Sequence, residues 1–93
     1  MLRLTKLNEN KQYVVDKLYI KEEKQCYGGQ AIERLAAYEN LYESLLRYQN
    51  EISKDLEMLR QANKNKSVKF KELLANKIVN NNLIDLLEKA VLS

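Results

Sequence analysis

The sequence predicts a mainly α fold of the α+β class: a small N-terminal β-hairpin or meander, a long central helix of coiled-coil character, and one or two C-terminal helices. Three observations lead there. Short runs of alternating apolar and polar side chains occupy residues 1–27; nothing from Gln30 to about Ala62 breaks a helix; and apolar residues recur along that helix at heptad spacing.

The N-terminal segment comes first. Leu2 and Leu4 alternate with Arg3 and Thr5, and Tyr13 and Val15 with Gln12 and Val14. Between them, Asn8-Glu9-Asn10-Lys11 is a polar tetrad whose asparagines tolerate the left-handed backbone of a turn, so a hairpin is expected. Leu18-Tyr19-Ile20 is expected as a third short strand before the charged stretch Lys21-Glu22-Glu23-Lys24. A sheet this small needs something to pack against. Cys26 is expected to act as a small buried hydrophobe.

Gly28 and Gly29, the only glycines in a chain without proline, end that unit. Residues 28–62 form the second segment, rich in the helix formers Ala, Leu, Glu, Arg and Lys. As one helix it would extend about 50 Å at 1.5 Å per residue, beyond the width of a small domain. With Leu35 at heptad position a, the a and d series after Ala31 runs Leu35, Tyr38, Tyr42, Leu45, Gln49, Ile52, Leu56, Leu59 and Asn63. Before Gln49 the flanking positions include Ile32, Leu41, Leu46 and Tyr48, a broad stripe suited to packing on the N-terminal sheet. After it they hold Ser53, Asp55 and Arg60, a narrow seam suited to another helix. The seam from Leu35 to Leu59 is therefore the candidate oligomer interface. Gln49 would either meet a partner amide or be tolerated there, and Asn63 marks the helix end.

Residues 63–93 are the third segment. Asn63-Lys64-Asn65-Lys66 is a polar break, and Ser67 suits an N-cap. Val68, Phe70, Leu73, Leu74, Ile78 and Val79 continue at helical spacing. Asn80-Asn81-Asn82 is a candidate interruption, so one helix or two are open. From Leu83 to Leu92 the chain is apolar almost all round, which marks burial, and a terminal tail cannot supply that burial alone.

Composition bounds the function. A chain of 93 residues buries only about 60–65% of its unfolded surface and needs reinforcement. One cysteine allows no internal disulfide, and with no histidine a zinc site lacks ligands, leaving oligomerisation. Histidine is also the usual general base and activator of nucleophiles, and no phosphate loop or metal-ligand spacing is present. The expectation is a non-enzyme with no cofactor and no metal. No apolar run approaches the roughly 20 residues of a membrane span, and no apolar h-region follows Arg3, so neither a membrane partner nor a signal peptide is expected.

Two side-chain groupings bear on partners. Arg60, Lys64, Lys66, Lys69, Lys71 and Lys77 are opposed within residues 60–79 only by Glu72, a patch for an anionic partner such as nucleic acid or simply a solvated face. Six tyrosines, among them Tyr38 and Tyr42 on the seam, suit ordinary packing or a small-ligand site completed by a lysine or arginine.

The segment from Cys26 to Glu39, CYGGQAIERLAAYE, together with Leu4-Thr5-Lys6-Leu7, resembles the GQAI-x-RLA-x-YE signature of small uncharacterised proteins of bacteriophages and prophages of Gram-positive bacteria. Many of those proteins continue with an Asp-Thr-Gly-Leu turn, where this chain has Asn40-Leu41-Tyr42-Glu43, so its helix should run on. Residues 66–77 and 82–87 are similar to the C-terminal segment of other phage coiled-coil proteins. The resemblance covers about half the chain and carries no catalytic residues. It implies a viral origin, and with it an accessory protein in the host bacterial cytoplasm that blocks or sequesters a host protein or small signalling ligand, in immune defence for instance; the expectation that the chain binds itself comes from the seam and the apolar tail. A nucleic-acid-associated protein and a structural assembly factor are the alternatives.

Overall fold

The computed structural model describes residues 1–91. Its elements are β1 (Thr5–Leu7), β2 (Tyr13–Val15), a single 3-10 turn (Lys17–Tyr19), β3 (Lys21–Glu22), β4 (Tyr27–Gly28), α1 (Gln30–Gln61) and α2 (Val68–Val91). The α+β class holds: two helices and small antiparallel hairpins. The chain divides into two compact units, Met1–Glu39 and a second beginning at Asn40, so the boundary falls within α1.

In the N-terminal unit, β1 and β2 pair antiparallel with Thr5 opposite Val15 and Leu7 opposite Tyr13. The Asn8 side chain organises the turn, its Oδ1 accepting from the amides of Asn10 (3.0 Å) and Gln12 (2.9 Å). The left-handed residue there is Lys11 (φ 60°), not an asparagine. Leu18-Tyr19-Ile20 is not a strand. Residues 17–19 form the 3-10 turn instead, closed by amides of Tyr19 and Ile20 on the carbonyls of Asp16 and Lys17. The further strands are Lys21–Glu22 and Tyr27–Gly28, with Cys26 at their turn and exposed, contrary to the buried role expected of it.

Gly29 is the pivot between this hairpin and α1. At φ +102°, a Cβ here would lie 2.6 Å from the carbonyl oxygen of Tyr19 and 2.9 Å from the amide nitrogen of Lys21, so only glycine fits. Beyond it the sheet covers little of the helix. Ala31 and Arg34 are half-buried, while Ile32, Leu35 and Tyr38 are exposed. The expected packing of the first half of α1 on the sheet is therefore slight, because strands of two and three residues present too small a face.

The second unit is a helical hairpin. As the partner on α1 advances from Tyr42 to Gln49 to Arg60, its counterpart on α2 retreats from Glu88 to Asn81 to Phe70, so the helices are antiparallel. Ile52, Leu56, Phe70 and Leu73 form the core, with Leu59 packed against it. Asn63 ends α1 in the left-handed region (φ 57°), with Lys64 N–H donating to the Leu59 carbonyl at 2.7 Å and Asn63 N–H to that of Arg60 at 3.0 Å. This is the Schellman arrangement, with asparagine in the place usually taken by glycine. Ser67 caps α2 as expected, its Oγ accepting from the Phe70 amide at 3.2 Å. Asn80-Asn81-Asn82 interrupts nothing: α2 is one helix.

Candidate functional site

The heptad seam is where sequence and geometry meet most directly. From Tyr42 onward every predicted a and d position as far as Leu59 is buried or half-buried: Tyr42, Leu45, Gln49, Ile52, Leu56 and Leu59. What covers them in this structure is α2 of the same chain. Ile52 and Leu56 are each 1% exposed within one copy and so offer nothing to a second. The two remaining seam residues, Leu35 and Tyr38, lie in the N-terminal unit and are 55% and 49% exposed. Ile32, beside them in the same unit, is also exposed.

Polar groups along the helical hairpin are paired across it. Gln49 donates through Nε2 to Asn81 Oδ1 at 2.8 Å, meeting the partner amide a polar a position calls for, but in its own chain. Asn80 donates to the Leu45 carbonyl at 2.9 Å. Tyr42 donates its hydroxyl to Glu88 Oε1 at 2.7 Å. The hydrogen bond to the Glu88 carboxylate, then burial, then the carboxylate's charge, raise the Tyr42 pKa above its ordinary 10.0. The sequence marks Asn80 and Asn81 only as part of a candidate interruption, and it gives Glu88 no role. Their spacing signal existed, since Asn80, Ile84 and Glu88 follow Phe70, Leu73 and Lys77 on one face, but asparagine is read more readily as a helix breaker.

The basic residues gather at the tip of the hairpin. Arg60, Lys64, Lys66, Lys69 and Lys71 are exposed on or beside the interhelix loop, whereas Lys77 is half-buried on the face toward α1 and does not belong with them. Phe70, the one aromatic residue within the patch, is 8% exposed and belongs to the core, with the Arg60 guanidinium 5.2 Å from its ring centroid. It offers no platform for stacking a base. Arg60 also lies 3.6 Å from Glu57.

The N-terminal unit holds an open groove of about 580 Å³ walled by Arg3, Leu4, Val15, Arg34, Leu35 and Tyr38. It brings together one seam tyrosine and two arginines. Both guanidinium groups are engaged in holding the first residues, Arg34 by donating to the Leu2 carbonyl and Arg3 by donating to Thr5 at 3.2 Å. Arg3 also lies 5.7 Å from the Tyr13 ring centroid.

No family model matches the chain, and no significant match was found among curated proteins or solved structures. Among the described residues, no helix is long and apolar enough to cross a membrane.

Proposed function

We propose that this chain is a non-catalytic, self-associating accessory protein of bacteriophage type, acting in the host cytoplasm by blocking or sequestering a host component. One observation carries the reading: a single copy leaves three large apolar side chains of the N-terminal unit uncovered at three-residue spacing on α1, namely Ile32, Leu35 and Tyr38. Exposed rows of this kind mark interaction surfaces. The phage attribution rests on the GQAI-x-RLA-x-YE resemblance. Native mass spectrometry of the protein purified from phage-infected bacteria tests it. The expected result is a multiple of the 11.0 kDa chain retaining a host protein or small molecule, lost when Leu35→Glu and Tyr38→Glu are combined. A lone chain that retains nothing refutes the proposal.

A second reading, nucleic-acid association, is favoured by the five exposed cations around the interhelix loop. Fluorescence anisotropy with short DNA and RNA duplexes decides it. Binding that weakens with salt and disappears on charge reversal of Lys64, Lys66, Lys69 and Lys71 supports this reading; no binding by the unmodified protein at low salt ends it.

A further inference from the structure

Two runs of sequence wall the groove of the N-terminal unit. Arg34, Leu35 and Tyr38 follow Ala31 by three, four and seven residues along α1, which sets all four on one face of the helix. Arg3, Leu4 and Thr5 come against that face, with Val15 paired opposite Thr5. Leu4 is buried there, whereas Leu35 and Tyr38 stay about half exposed. The volume of about 580 Å³ falls within the roughly 300–1,000 Å³ of small-molecule sites, which join an apolar lining to a few charged groups.

The arginine charges in this groove are unmatched. No carboxylate lines it. The neighbours of Arg34 three and four residues away on α1 are Gln30, Ala31, Ala37 and Tyr38, none of them acidic. Asp16, next to Val15, is held by Lys6 at 2.6 Å. Among the described residues, Arg34 donates to the Leu2 carbonyl, and Arg3 donates to the carbonyl and hydroxyl of Thr5 and lies against the Tyr13 ring. All of these partners are neutral, and a guanidinium carries more N–H donors than such bonds use.

We infer that this groove binds a small phosphate monoester with an apolar or aromatic body, of which a nucleoside monophosphate is a simple example. The phosphate carries close to two negative charges at neutral pH and so balances both arginines, whose N–H groups suit its oxygens. A carboxylate would leave one of the charges unmatched, and a neutral ligand both. Leu4, Val15 and Leu35 offer the body apolar surface, and the Tyr38 ring offers a face to stack on. The inference deepens the sequestering role in the proposed function and rests on it. Leu35 and Tyr38 also belong to the exposed row on α1, whereas Ile32 stands outside the groove, which separates the two roles.

Isothermal titration calorimetry of the full chain with adenosine 5′-monophosphate tests this, with adenosine and inorganic phosphate in parallel. The monophosphate should bind at least about tenfold more tightly than either fragment, and more weakly as pH falls from about 7.5 to about 5 and its dianion takes up a proton. Arg3→Gln and Arg34→Gln should each weaken it at least about tenfold, through loss of charge-assisted hydrogen bonds, with unchanged circular dichroism. Ile32→Glu should weaken self-association and leave the monophosphate affinity as it was. Amide shifts on titration should cluster at Leu4, Val15 and Leu35. No binding at about 1 mM, equal binding of adenosine, or indifference to both glutamine variants overturns the inference. Shifts clustered instead at Lys64, Lys66, Lys69 and Lys71 overturn it too. An oligomer that holds a host protein without binding the monophosphate leaves the proposed function standing; a lone chain that retains nothing and binds no monophosphate ends both.

Discussion

Asn80, 3% exposed, donates a 2.9 Å hydrogen bond from its side-chain amide to the backbone carbonyl of Leu45, tying the middle of α2 to the middle of α1. That carbonyl has a second lone pair free beyond its bond within α1, so the contact adds an interaction without disrupting the helix. The substitutions should separate by chemistry. Asn80→Asp faces a carboxylate against a carbonyl in a buried site and should cost more than about 2 kcal/mol. Asn80→Leu should lie within about 1 kcal/mol of the parent, since it removes a polar group whose partner stays satisfied. Urea midpoints give both values, and equal losses for the two would show that the hydrogen bond is incidental.

Leu56 separates folding from association. It is 1% exposed in one copy, so Leu56→Ala should destabilise the hairpin by about 2–5 kcal/mol through a core cavity. Leu56→Asp should abolish the helical unit rather than release folded subunits. Circular dichroism alongside sedimentation distinguishes these, and a folded, monomeric Leu56→Asp protein would contradict the core assignment.

Asn63 holds a left-handed conformation at φ 57°. Glycine adopts it without a Cβ penalty, so Asn63→Gly should leave stability unchanged or raise it by several tenths of a kcal/mol, whereas Asn63→Ala should cost about 1 kcal/mol. Thermal melts of the three proteins rank them, and an alanine variant as stable as the glycine one would remove the Schellman account.

Tyr42 gives a pH dependence with a definite sign. Its folded pKa is raised above 10.0, first by the bond to Glu88, so the stabilisation is complete below that value and lost as pH climbs through the folded one. Compared at about pH 8 and about pH 11, Tyr42→Phe should show a smaller alkaline loss of stability than the parent. Parallel pH profiles would mean that the pair contributes nothing.

How much of this was legible depends on how long each signal runs. The heptad series predicted which residues of α1 are covered from Tyr42 to Leu59, because it repeats over several turns. It did not say by what. The same period serves a helix in the same chain or in another copy, and the return of the chain hangs on one left-handed asparagine, Asn63. The first hairpin was legible through the Asn8 turn, although its left-handed residue proved to be Lys11. The second hairpin was not, because strands of two residues within a charged run have no periodicity to read. Asn80 and Asn81 were misjudged as breakers: their weak helix propensity, a few tenths of a kcal/mol each, is outweighed by their bonds to Leu45 and Gln49. Of the six cations read together from the sequence, five are exposed on or beside the interhelix loop, while helical phase turns Lys77 toward α1.

The short loop after Asn63 also sets an order of events. Arg60 and Phe70 meet close to it along the chain, while Tyr42 and Glu88 are 46 residues apart. Bringing the nearer pair together first saves about 1 kcal/mol of closure entropy, so the two helices should zip from the lysine-rich end outward. Truncating Phe70 would then slow refolding in a stopped-flow urea series, whereas Tyr42→Phe would mainly quicken unfolding; the reverse pattern would place the nucleus at the other end. A newly made copy closing this way need not wait to encounter another.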